Sequence, residues 1–153
     1  MTLKQPQLIK RIAQTLGLEE SNTKATPVVK PFLNKNTDGK ERSDDSFHCR
    51  SAIGSLSCLV GCTRPDMSMA VHQASKVSNR PKACHDTAVK RIGKHLLGTS
   101  EEDLIYEPDV SKGLEIFVDD DFAGAFDETV AEDPASVCSR TGCIIKCSRY
   151  PIM

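Results

Sequence analysis

Tryptophan is absent from this 153-residue chain, and aromatic residues make up only 5% of it. Any core must therefore be mostly aliphatic. Long hydrophobic runs are also missing. No stretch of about 18 apolar residues occurs, which excludes a membrane-spanning helix. The opening residues MTLKQPQLIK contain no apolar segment of the kind a secretory signal requires. The expected compartment is therefore cytoplasmic or nuclear, with no membrane partner. Hydrophobic residues at 39% and charged residues at 27% suit a chain that buries a core. The length fits one domain or two small pieces.

A strong net charge is lacking too, at −1 overall. That balance conceals an asymmetry. Residues 1–100 carry 16 Lys and Arg against 8 Asp and Glu, whereas residues 101–153 carry 4 against 13. The pattern suggests two modules, the first suited to polyanions and the second to cations. Two ordinary solvated surfaces would give the same sums.

Seven cysteines are present. Without a secretory signal they do not read as a disulfide framework. Cys58 and Cys62, and Cys143 and Cys147, are each four apart, looser than the C-x-x-C knuckle of zinc sites. Four residues along a strand span about 13 Å, too far for one ion. Free thiols are the plainer expectation.

Leu8, Ile9, Ile12 and Leu16 recur at helical spacing over residues 5–16, with Gly17 as a stop. Residues 21–44, with Pro27, Pro31, Asn34, Asn36, Asp38 and Gly39, read as a linker. A second helix is expected to start near Asp44 or Asp45 as N-cap. Cys49, Ile53, Leu56 and Val60 form its buried stripe. Residues 61–64 break it, and Pro65 suits the first position of the next helix, whose stripe is Met67, Ala70, Val71 and Ala74. A third begins near Lys82, with His85, Ala88, Val89, Ile92 and Leu96 on one face and Gly98 as its stop. Short connections predict a compact bundle over residues 45–100. After Gly98 the period changes. Leu104–Tyr106, Leu114–Val118 and Gly142–Cys147 read as strands, and a sheet with no following helix would leave one face uncovered.

Asp119, Asp120 and Asp121 end the second of these strands. Adjacent carboxylates repel unless a cation or donors neutralise them, and Mg²⁺ is the natural partner. A solvated acidic turn is the alternative. Phe117-Val118-Asp119-Asp120 also imitates the aromatic-x-Asp-Asp signature of reverse transcriptases. That signature sits on a tight hairpin, and Asp121–Glu128 does not read as a return strand. His48, His72 and His85 lie on expected helices with no nucleophile beside them, so packing or surface roles are expected.

Several motifs together resemble the pol polyprotein of copia-type LTR retrotransposons, from the reverse-transcriptase thumb and connection into the start of ribonuclease H. Leu3–Leu18 is similar to the segment after the polymerase palm, and Thr26-Pro27 to the Thr-Pro before a variable linker. FHCRSAIGSLSCL at 47–59 is similar to Y-R-S-x-I-G-x-L-x-Y-L. Thr63-Arg64-Pro65-Asp66 with Ala70-Val71 matches T-R-P-D-I-x-x-A-V. Pro81, His85, Ala88 and residues 90–98 look like P…H…A-x-K-R-I-x-x-Y-L-x-G-T. FVDDDFAG at 117–124 is similar to x-x-D-A-D-F-A-G, and Ser139–Gly142 matches S-R-T-G.

The resemblance implies an α+β chain with four parts. Residues 1–20 would be a helix following the palm and 21–44 a linker. Residues 45–100 would be a three-helix thumb- and connection-like segment, and 101–153 an incomplete ribonuclease H-like β-meander. It maps a catalytic, Mg²⁺-binding carboxylate onto Asp119. The polymerase aspartates would precede Met1, and the Glu-bearing segment would follow Met153. The parent enzyme's Mg²⁺ is then not expected to bind stably, and neither polymerase nor ribonuclease H activity is expected of the isolated chain. Arg64, Lys76, Arg80, Lys82, Lys90, Arg91 and Lys94 are candidates for gripping an RNA–DNA hybrid or template–primer. Cys49, Cys58, Cys138, Cys143 and Cys147 stand where the family tends to have aromatics, and His95 where it has Tyr. Large-to-small changes of this kind cost about 2–5 kcal/mol each where buried, so a degenerate copy is expected.

Overall fold

In a computed structural model of the chain, the described residues are 1–28, 47–107, 109, 111, 113–121, 128, 139–147 and 150–151. They fall into two compact units. One runs from Thr2 to Ile105, and the other comprises Met1 with residues 106–153. The content is mixed α and β: four α-helices, one 3-10 turn and two small antiparallel sheets among the described residues.

The first unit opens with β1 (Thr2–Leu3) and α1 (Pro6–Thr15). Proline at the first helical turn loses no hydrogen bond there. The expected stop at Gly17 is in place, with φ +62°. The Leu18 N–H bonds the Ala13 carbonyl and the Gly17 N–H bonds that of Gln14, which together satisfy the orphan carbonyls of the helix end. Leu18 is buried just beyond. A side chain at this left-handed position strains the backbone, so Gly17→Ala is expected to cost about 1 kcal/mol. Urea denaturation of the whole chain would measure it.

Helix α2 (Cys49–Cys62) starts later than the sequence suggested. Residues 44 and 45 lie outside the described residues. The cap is His48, whose Nδ1 accepts from the Ser51 N–H at 3.3 Å. The helix after Pro65 divides into a 3-10 turn (Pro65–Met67) and α3 (Ser68–Lys76). Helix α4 (Ala83–Gly98) follows, then β2 (Leu104–Ile105), which pairs with β1. All four helices pack on one core. Ile12, Leu56, Leu59, Met67, Val89, Ile92 and Leu96 are almost wholly enclosed in it. Of the cysteines described, Cys49 is buried, but Cys58, Cys62, Cys143 and Cys147 are exposed. The expected cost of small residues in a core therefore applies to Cys49 and not to Cys58, Cys143 or Cys147, and Cys138 lies outside the described residues.

The second unit is a three-stranded sheet, ordered β3 (Leu114–Asp121), β4 (Arg140–Cys147) and β5 (Tyr150–Pro151). β3 and β4 pair over their full lengths, from Leu114 opposite Cys147 to Asp121 opposite Arg140. Both strands are longer than the alternation indicated. Glu115 sits opposite Lys146, a favourable cross-strand pair. The sequence predicts one uncovered face. In the structure apolar side chains are exposed on both, with Leu114, Ile116 and Val118 on one and Phe117 and Ile144 on the other.

Candidate nucleic-acid interface and acidic strand

Helix α4 carries three of the seven basic candidates. Between Thr87 and Gly98 it holds Lys90, Arg91 and Lys94 and no acidic residue. Its start is fixed by His85, which is 1% exposed and accepts from the Lys82 N–H through Nδ1 at 3.0 Å. Lys82 is thus the residue that begins the helix and stands half-buried. Lys90, Arg91 and Lys94 are also half-buried. Spacings of three and four place Lys94 beside both Lys90 and Arg91. The Lys90 ammonium lies 5.6 Å over the Phe47 ring, an arrangement that holds the charge near the surface. Arg80 is exposed and Lys76 half-buried, both near the turn between α3 and α4.

Residues 23–26 run antiparallel along α4. A Cβ on Gly98 would meet Thr23 Cβ at 2.9 Å. The Lys24 N–H bonds the Lys94 carbonyl at 3.3 Å, and His95 Nδ1 lies 3.0 Å from the Lys24 carbonyl. Arg91 Nη2 donates to Thr26 Oγ1 at 2.9 Å. A carbonyl only accepts, so His95 Nδ1 carries the proton that it shares with Lys24.

Arg64 is placed differently from the other basic candidates. It is 3% exposed. Its guanidinium forks onto Asp66, with Nε to Oδ1 at 3.0 Å and Nη2 to Oδ2 at 2.8 Å. It also donates to the Thr99 carbonyl at 3.0 Å and to Thr99 Oγ1 at 2.7 Å. Glu102 stands 3.6 Å away. The arginine thus joins the 3-10 turn to the end of α4, with its charge directed into the fold. The hydrogen bond from Arg64 holds the Asp66 carboxyl below the ordinary carboxylate range, against the opposing effect of burial. A carboxyl depressed in the folded state contributes stability that is present above its unfolded pKa and lost as pH falls through the folded one. An acid titration of stability is therefore expected to steepen below about pH 4, the ordinary carboxylate pKa. Asp66→Asn is expected to flatten that part of the curve, as chemical denaturation at several pH values would show.

The acidic strand lies in the other unit. Alternation along β3 sends Asp119 and Asp120 to opposite faces of the sheet. Asp120 accepts from Thr141 Oγ1 at 2.5 Å across the β3–β4 pair. Asp119 pairs in register with Gly142 and is exposed. The run of carboxylates in the sequence is therefore not a cluster in space at these two positions. Among the described residues, no group of three or more His, Cys, Asp or Glu could hold a metal ion. The described residues do not fit a two-metal site, which needs several carboxylates converging on one point.

No helix among the described residues is long and apolar enough to cross a membrane. Sequence reasoning named His48 and His85 with packing or surface roles, but it missed that both cap helix starts. It also overlooked the Arg64–Asp66 fork, although an acid two residues after an arginine was a visible local signal.

No protein-family model matches the chain, and neither does any solved structure. Curated relatives do. The chain is 32% identical over 108 residues to the retrovirus-related Pol polyprotein from transposon RE2 of Arabidopsis thaliana. The match covers 71% of this chain and 7% of that polyprotein. The corresponding protein from transposon RE1 of the same plant matches equally well. The Pol polyprotein from transposon TNT 1-94 of Nicotiana tabacum is 30% identical over 132 residues, covering 82% of this chain and 10% of that protein. The chain thus spans a tenth or less of these relatives. It belongs with the Pol polyproteins of copia-type retrotransposons, as a homologue of a short stretch of them.

Proposed function

We propose that this chain is a catalytically incomplete part of a polyprotein whose ancestral work is RNA-directed DNA synthesis and removal of the RNA strand. The helical unit corresponds in this reading to the thumb and connection, and the strand unit to the start of a ribonuclease H domain. One observation carries the claim of inactivity. Asp119 has Asp120 on the opposite face and belongs to no cluster of metal-ligating side chains among the described residues. Removing members of a catalytic constellation that acts as a unit typically costs several orders of magnitude in rate. The test is an RNA–DNA hybrid incubated with the 153-residue chain and Mg²⁺. No hybrid-specific cleavage above background is expected. Cleavage abolished by Asp119→Asn would overturn the proposal.

A second reading concerns what the chain retains, which is binding to nucleic acid through α4. It is supported by three half-buried basic side chains, Lys90, Arg91 and Lys94, on a stretch of helix without an acidic residue. Such groups neutralise phosphates and release counterions, whatever the base sequence. Lys82 stands at the start of the same helix. Arg64 does not share in this role, because its guanidinium is engaged by Asp66 and Thr99.

A further inference from the structure

Thr26 is exposed and is followed by Pro27, the pairing that proline-directed protein kinases accept. The hydroxyl already accepts a hydrogen bond from Arg91 Nη2 at 2.9 Å. Arg91 Nε is enclosed and has no hydrogen-bond partner among the described residues. The guanidinium therefore has donor capacity left over beside a hydroxyl that offers one oxygen. Arg91 sits on α4 between Lys90 and Lys94, so its charged neighbours along this stretch of the helix are positive. Lys24, two residues before Thr26, is exposed and adds to it. The nearest acid on the helix is Asp86, more than a turn towards its start.

We propose that Thr26 is a phosphorylation site and that Arg91 captures the phosphate, clamping residues 23–26 onto α4. In the modifying step Thr26 Oγ1 attacks the γ-phosphorus of a nucleoside triphosphate. The new Oγ1–P bond forms as the bond from that phosphorus to the bridging oxygen breaks. The nucleoside diphosphate leaves, and the hydroxyl proton passes to the kinase's basic carboxylate. The product has close to two negative charges and three further acceptor oxygens at neutral pH. They lie two bonds beyond an atom the guanidinium already touches, and a planar fork of donors matches a phosphate in two parallel hydrogen bonds. The rest of the segment is already seated, through Lys24 on Lys94 and His95. The phosphate thus adds a charged anchor to a strap held at its other end. This proposal does not depend on the nucleic-acid reading of α4.

The test treats the full chain with a proline-directed kinase and ATP, alongside a synthetic peptide of residues 20–32 and the Thr26→Ala chain. Mass spectrometry is expected to place one phosphate on Thr26 of the folded chain. Amide exchange over residues 24–28 is then expected to slow by about tenfold or more, the factor of a hydrogen bond to a charged group. In the ³¹P spectrum the phosphate is expected to titrate below the phosphopeptide's midpoint, and Arg91→Gln is expected to restore the peptide value. The ³¹P reading is compared with Arg91→Lys, which keeps the charge and is expected to retain part of the shift. No modification of Thr26 in the folded chain would overturn the proposal, whether or not the peptide is modified. So would a phosphate that titrates as in the peptide and leaves exchange unchanged, or a shift that survives Arg91→Gln.

Discussion

Replacing Leu56 with alanine is expected to destabilise the helical unit by about 2–5 kcal/mol. Leu56 is wholly enclosed, midway along α2, where that helix faces the common core. The loss combines the transfer free energy of the deleted carbons with the cavity they leave. A domain's total stability is about 5–15 kcal/mol, so this single change removes a large share of it. Leu114→Ala in the sheet provides the contrast. Leu114 is 69% exposed, and the change is expected to fall within about 0.5 kcal/mol of neutral. Both are read by denaturant midpoints at constant slope. Equal effects at the two positions would contradict the placement of the core in the helical unit.

Arg64→Ala is expected to cost about 3 kcal/mol, the upper end for hydrogen bonds to a charged group. The side chain is 3% exposed and donates to both Asp66 oxygens and to two oxygens of Thr99. Removing it leaves the Thr99 carbonyl without that donor. The cost falls short of the full penalty for splitting a buried ion pair, because the Asp66 side chain is 48% exposed and water can take it over. Arg64→Lys is expected to recover only part of the loss, since an ammonium cannot reproduce the fork. The same denaturation series measures it. If Arg64→Ala were neutral for stability but weakened nucleic-acid binding, Arg64 would face solvent and the fork would be wrong.

The helices were legible because their signals are local. The apolar stripe of α1 and the stop at Gly17 lie within residues 6–18, and α4 shows its stripe and its start in the same way. The start of α2 was not legible, because histidine is an unusual cap and Asp44 and Asp45 looked like better ones. Strands of two residues, such as β1 and β5, are too short to carry a period. The three aspartates at 119–121 read as a cluster when counted along the chain. The two-residue period of a strand, already visible in Leu114–Val118, was enough to separate the first two. Arg64 was grouped with the surface bases because charge was read without its partners, one of which, Thr99, lies 35 residues away. The seating of residues 23–26 on α4 is equally non-local, and no spacing in the sequence announces it.

We propose that this stretch binds nucleic acid and does not by itself cleave the RNA strand of a hybrid. One measurement tests both halves. A labelled RNA–DNA hybrid is titrated with the chain in Mg²⁺ over a salt series, and the RNA strand is sized at the end. Binding is expected to weaken linearly in log–log form as salt rises, with the RNA intact. Lys90→Ala with Lys94→Ala is expected to lower the slope by about one for each phosphate that is no longer neutralised. Cleaved RNA, binding insensitive to salt, or a slope unchanged in the double variant would contradict the account.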